Sequence, residues 1–173
     1  MNPMNTTILF YWPTGGNVEN AAKMIAKEFG ELKLMSLSEI NADTFLQNKN
    51  FIVGGSTLGS ETWQGTSSEN PWNSFFKLLS TLDLTNKKIA LFGLGDQVLW
   101  PSNFVDGMGV IYNAFKNAHA KIVGKWPTEG YDFSDSKAEE NGFFVGLALD
   151  EDQQAELSEQ RIHIWVNQLK KEF

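Results

Sequence analysis

The chain has 173 residues, of which 42% are apolar and 20% charged, with no cysteine and a formal net charge of −7. Without cysteine there are no disulfides, Fe–S clusters or thiol nucleophiles, and the acidic balance disfavours nucleic acid and favours basic protein partners. The length fits one domain over residues 1–173; no apolar run approaches the roughly 20 residues of a membrane span, and MNPMNTT carries no secretory pattern, so the expected compartment is the cytoplasm.

The first β-like run, Thr7–Trp12, stops at a Pro-Thr-Gly-Gly turn, and a helix follows from about Asn17. Its apolar stripe is Val18, Ala21, Ala22, Ile25 and Phe29, at i, i+3, i+4 spacing. A strand, a Gly-rich turn and a helix N-terminus aim free N–H groups and a positive dipole end at one point, which is how α/β proteins build phosphate sites. This loop, Pro13, Thr14, Gly15, Gly16, Asn17 and Val18, has a single hydroxyl, on Thr14. Thr14 and Asn17 are the candidate helix caps. The loop lacks both the G-x-G-x-x-G fingerprint and the lysine of a nucleotide P-loop, which argues against dinucleotides, ATP and GTP.

A weaker run, Leu32–Met35, precedes an expected helix over Ser38–Gln47 with Ser38 as its N-cap. The run Phe51–Gly54 leads into a long polar loop, Ser56–Pro71, that starts Ser56, Thr57, Leu58, Gly59 and contains Trp63. Leu58 is placed to face a ligand beyond the strand. Trp72, Phe75, Phe76, Leu79 and Leu82 trace the next helix. The run Lys88–Gly93 opens a third loop, Leu94–Asn103. In it Gly95 permits close backbone approach, Asp96 is either an acceptor for a ligand N–H or a turn residue, and Trp100 is either a stacking face or a packing residue. Phe104, Met108, Ile111, Tyr112 and Phe115 mark a helix, Lys121–Trp126 and Phe143–Leu149 are the last β-like runs, and Leu157, Arg161, Trp165, Leu169 and Phe173 mark the final helix.

Alternating β and α elements with continuously apolar strands imply a parallel sheet covered by helices on both faces. Ligands in such sheets bind beyond the carboxyl ends of the strands, where the three loops lie. No catalytic constellation accompanies them: His119 and His163 stand without partners at metal-ligand spacing, and there is no nucleophile elbow.

The segments LFGLGDQVLWPSNFVDGMGVIYNAF, PTEGYDFSDSKA and GLALDEDQQ resemble the long-chain flavodoxins, and the resemblance extends over essentially the whole chain. It implies a three-layer α/β/α flavodoxin-like fold with a five-stranded parallel sheet in order 2-1-3-4-5, the last strand split by an insertion at roughly 127–142. It also implies one noncovalent FMN and a low-potential one-electron carrier, monomeric, serving redox protein partners rather than an enzyme with its own substrate. The phosphate loop maps to Pro13–Val18, the inner-face loop to Ser56–Gly59 and the outer-face loop to Leu94–Asn103. Trp100 stands where the family usually has tyrosine, and Asn103 and Asp152 fall near positions that contact flavin or ribityl. Partner docking would fall to acidic residues such as Glu61, Glu69, Asp150, Glu151 and Asp152. Two departures stand out. The usual [S/T]-x-T-G-x-T loop is replaced by Pro13-Thr14-Gly15-Gly16-Asn17-Val18, and each lost hydroxyl removes a bond to a charged group worth roughly 1.5–3 kcal/mol. Leu58 replaces the usual inner-face tryptophan. The alternative function is therefore a flavodoxin-fold binding or regulatory module with weak or lost FMN binding.

Overall fold

A computed structural model describes residues 6–56 and 70–173. Thr57, Leu58, Gly59, Glu61, Trp63 and Glu69 lie outside the described residues. The parallel sheet runs β2-β1-β3-β4-β5, as the resemblance implies. Its strands β1 (Thr7–Tyr11), β3 (Asn50–Gly55) and β4 (Lys88–Leu94) are buried on both faces, which is why they read as unbroken apolar runs. Strand β2 (Leu32–Ser36) lies at the edge and is half exposed, so its apolar signal is faint.

The last lane of the sheet is shared by two short strands. Strand β5 (Lys121–Val123) pairs with Lys88–Ala90 of β4, and a later strand, Leu147–Leu149, pairs with Phe92–Leu94 of the same strand. The split is therefore present, but it spans 124–146 rather than 127–142. Gly124, at φ 83°, turns the chain out of the sheet in a conformation other residues rarely adopt. Outside the sheet β6 (Trp126–Pro127), β7 (Glu139–Glu140) and β8 (Phe143–Phe144) form a small antiparallel sheet, before the chain returns as β9 (Leu147–Leu149). The expected runs Lys121–Trp126 and Phe143–Leu149 are thus each divided between two sheets.

Helix α1 (Asn17–Phe29) buries Val18, Ala21, Ala22 and Ile25. The expected helix over Ser38–Gln47 is two pieces: a 3-10 turn, Leu37–Glu39, and α2 (Ala42–Gln47). Ser38 caps neither. Ser36 caps the turn, and Asn41 caps α2, accepting from the Thr44 N–H at 3.1 Å while its own N–H donates to Thr44 Oγ1 at 3.2 Å. This reciprocal pair starts a helix where the apolar spacing alone runs through. Helix α3 (Pro71–Leu79) has proline in its first turn and Asn70 as its cap, and α4 (Asp106–Asn117) and α5 (Ala155–Glu172) complete the set. Helix α1 packs on α5, and α3 on α4.

Phe10, Phe45, Phe75 and Phe115 fill the core with ring centroids 5.4–6.4 Å apart. Phe104 precedes α4 instead of opening it, and joins a second cluster with Tyr131, Phe133 and Phe144, each 5.7 Å away. That cluster pins the inserted segment to the main fold.

Candidate flavin crevice

The carboxyl ends of β1, β3, β4 and β9 open into one crevice of about 890 Å3, within the roughly 300–1,000 Å3 of small-molecule sites. Pro13, Gly15, Asn17 and Val18 form one wall. Ser56 follows β3, and Leu94, Gly95, Asp96, Trp100 and Asn103 form the outer wall, with Asp152 after β9. Thr14 and Gly16, in the same loop, are exposed. Sequence reasoning missed Asp106 and Val110 of α4 and Lys137 of the inserted segment, which also line it. For Lys137 the sequence carries no signal, because only the packing of the insertion on α4 brings it there.

The loop wall is made of backbone. Gly15 and Gly16 have φ 76° and 83°, a left-handed pair that only glycine adopts at little cost. Gly16 is the N-cap of α1, and no side chain caps the helix, so neither Thr14 nor Asn17 plays that part. Glu19, in the first turn of α1, accepts from the Tyr11 O–H at 2.7 Å and from Lys23 Nζ at 3.3 Å. The Tyr11 bond first, then Lys23, with the Gly15 N–H further down, holds its carboxyl below the usual range. Burial and the same Glu19 contact push the Tyr11 phenol up to about 12.

The outer wall is made of side chains. Asp96 Oδ1 accepts from the Val98 and Leu99 N–H groups at 3.0 Å each and from Gln153 Nε2 at 3.1 Å. That oxygen serves the turn, while Asp96 also lines the crevice. The Leu99 N–H leads the contacts that hold its carboxyl below the aspartate range, against the opposing pull of burial. Trp100 is 64% exposed, so it is no packing residue and its ring is open at the crevice. Val98 and Leu99 beside it are 63% and 69% exposed.

Behind this wall lies a buried polar node. Asp150, 0% exposed, accepts from Gln97 N at 3.0 Å, Gln97 Nε2 at 2.8 Å, Asp152 N at 3.1 Å and Gln153 N at 2.9 Å. Its expected place in a docking surface is therefore corrected: four N–H donors draw the carboxylate inside. Gln97 Oε1 accepts in turn from Asp132 N at 2.6 Å. Four more bonds tie the insertion to the wall. Ser134 N and Asp135 N donate to Pro101 O at 2.7 and 3.0 Å, Ser136 Oγ to Phe104 O at 2.5 Å, and Lys137 N to Asp106 Oδ1 at 2.8 Å. Asp106 Oδ2 also accepts from Asn103 Nδ2 at 3.0 Å. At Gly109 the insertion backbone comes so close that a Cβ there would sit 2.5 Å from Lys137 O.

His119 pairs with Asp83 at 3.5 Å, and His163 on α5 with Glu28 on α1. Among the described residues no group of three or more His, Asp or Glu is arranged to hold a metal, and no helix is long and apolar enough to cross a membrane.

Residues 9–165 match the family model described as flavodoxin. The chain belongs to the flavodoxin family. It is 42% identical over 165 residues to a flavodoxin of Synechocystis sp., covering 94% of each chain. Against a Klebsiella pneumoniae flavodoxin it is 36% identical over 168 residues, covering 94% of this chain and 96% of the other. A Fusobacterium nucleatum flavodoxin solved with flavin mononucleotide bound superposes with a TM-score of 0.84 at 28% identity, covering 98% of this chain and 99% of that one. Flavodoxins are electron-transfer proteins that work with redox partners and turn over no substrate.

Proposed function

We propose that the chain binds one FMN noncovalently in this crevice and carries single electrons at low potential between redox proteins. The observation that carries the reading is the open ring of Trp100 on a crevice wall at the carboxyl ends of the parallel strands. The residues present fit the cofactor. The volume admits a tricyclic ring with a ribityl chain, Trp100 supplies a flat apolar face, and the uncapped first turn of α1 supplies N–H groups for a phosphate. FMN, when bound, supplies the redox chemistry, and the protein sets its position and electrostatics.

On this reading Trp100 stacks on the outer face of the ring, Leu94 and Gly95 support its edge, and Ser56 stands at the start of the inner face. Asn17 and Val18 present amides to the phosphate, with Thr14, Gly15 and Gly16 shaping the loop, while Asn103 and Asp152 meet the ribityl chain. Asp96, Asp106, Glu151 and Asp152 line the crevice, and so much negative charge disfavours adding electrons, which favours a low potential. Partners dock on the exposed Val98–Leu99 tip rimmed by Glu151 and Asp152, and the net charge of −7 steers basic surfaces toward it. The carrier works as a monomer.

A visible spectrum of the purified protein, followed by FMN titration of the flavin-free form, tests the reading. Flavin absorbance and saturable binding are expected. A colourless protein that also fails to take up FMN would end it.

A further inference from the structure

Arg161, in the second turn of α5, is the one cation among the buried described residues, and it forms no ion pair among them. A buried guanidinium without a counter-charge is costly, so an ion pair does not explain its place. Its contacts run instead to the inserted segment. The guanidinium carbon lies 4.0 Å from the centroid of the Tyr131 ring, and Nη2 donates to Gly130 O at 3.5 Å, while Nη1 is buried without a partner. Gln154, the residue before α5, donates to the same Gly130 O through Nε2 at 3.0 Å. Two side chains from the start of α5 therefore close on one turn of the insertion.

Tyr131 carries this grip onward. Its O–H donates to Ala148 O of β9 at 2.5 Å and accepts from Trp126 Nε1 at 2.9 Å. Its ring is 5.1 Å from that of Phe144 and 5.7 Å from that of Phe104. The next residue, Asp132, donates its N–H to Gln97 Oε1 at 2.6 Å, and Asp150 holds the other side of Gln97. Gln97 belongs to the same turn of the outer wall as Trp100. Burial pushes the Tyr131 phenol up to about 12, the Arg161 charge pulls against that rise, and the Asp150 charge adds to it. Both buried charges are thus felt at one phenol.

We propose that Arg161 is a positioning residue for the electron carrier: its plane, laid on Tyr131, fixes the inserted segment against Gln97 and so sets how Trp100 meets the flavin. The inference rests on the flavin-binding reading above. Arg161 does not line the crevice, so its effect reaches the site only along this path of contacts. The shape of the guanidinium matters as well as its charge. A planar fork covers the ring and donates to Gly130 O at once, which an ammonium on a flexible stem does not reproduce.

The test is FMN titration of the flavin-free full chain for the parent, Arg161→Lys, Tyr131→Leu and the double variant, with visible circular dichroism at saturating FMN. That signal reports the asymmetry around the bound ring and not the fraction of folded protein. Arg161→Lys should weaken FMN about threefold to thirtyfold, the range of one desolvated cation–π contact, and alter the saturated band. In the Tyr131→Leu background the same substitution should change affinity less than about twofold, because the ring it acts through is gone. Arg161→Met keeps the stem and removes the desolvated charge, so it remains foldable where a buried ammonium is poorly tolerated, and it should give the same loss. Weaker binding with an unaltered band would mark a purely structural role and overturn the inference. Equal losses in both backgrounds would overturn it too. A parent that binds FMN while Arg161→Lys and Arg161→Met match it overturns the inference and leaves the flavin reading standing. A parent that takes up no FMN overturns both.

Discussion

The two walls of the crevice are built on opposite plans. The loop wall, 13–18, is local: two glycines with positive φ and a helix start, with no side-chain cap. The outer wall, 94–103, is long-range: its turn is fixed by Asp96, its floor by the Gln97–Asp150 contact across 53 residues, and its back by hydrogen bonds from the inserted segment. A local wall can lose side chains and keep its shape, since the helix ladder holds it. A long-range wall transmits any loss to the face it presents.

The sharpest break in that comparison is Asp150→Ala. Four N–H groups lose a buried acceptor, and the expected loss is about 3–5 kcal/mol by urea unfolding, accompanied by weaker FMN binding as the wall loosens. A loss under about 1 kcal/mol would mean the wall stands without its node. Next comes Trp100→Ala. An aromatic stack of this kind is worth about 1–3 kcal/mol, so FMN affinity should fall about tenfold to hundredfold in a fluorescence titration. Because the ring is 64% exposed, the urea midpoint of the flavin-free protein should hold; a large drop would return Trp100 to the role of packing residue.

A third effect appears only in acid. The hydrogen bonds on Asp96 depress its folded pKa, so its contribution to stability is whole above the unfolded value of about 3.9 and is lost as pH falls through the lower folded value. Asp96→Asn should remove that portion of the acid dependence, seen as a flatter stability profile below about pH 4 than the parent shows. An unchanged profile would assign the acid sensitivity elsewhere. The smallest effect belongs to the loop wall. Thr14→Ala removes an exposed hydroxyl from a wall whose donors are backbone amides, so stability should stay within about 0.5 kcal/mol and FMN affinity should change less than for Trp100→Ala. A larger loss than at Trp100 would make the loop wall a side-chain site after all.

What the sequence disclosed follows the same division. Strands β1, β3 and β4 were legible because burial on both faces leaves an unbroken apolar run, and the order of the sheet followed from the resemblance. The Gly-rich loop was legible because local backbone chemistry is written in consecutive residues. The break between the Leu37–Glu39 turn and α2 was not, since one Asn–Thr reciprocal contact decides it. Asp150, within the run DEDQQ, reads as solvated charge. Its burial depends on Gln97 and on a turn whose N–H groups converge only in the fold. Trp100 left two roles open, and its exposure speaks against packing. Lys137 reaches the crevice because Gly109 lets the insertion lie directly on α4.

One consequence lies in the shared lane beside β4. The chain leaves the sheet at Val123 and rejoins it at Leu147, opposite Ala90 and Phe92 of β4, with only Leu91 between them. For the sheet, residues 124–146 are an excursion that begins and ends at the same address. A lineage could lengthen, trim or rewrite that excursion without moving the rest of the scaffold. The changes would be felt at the outer wall and along α5, where Trp165 Nε1 donates to Gly124 O and Arg161 lies over the Tyr131 ring, so this segment can tune how the flavin ring is held.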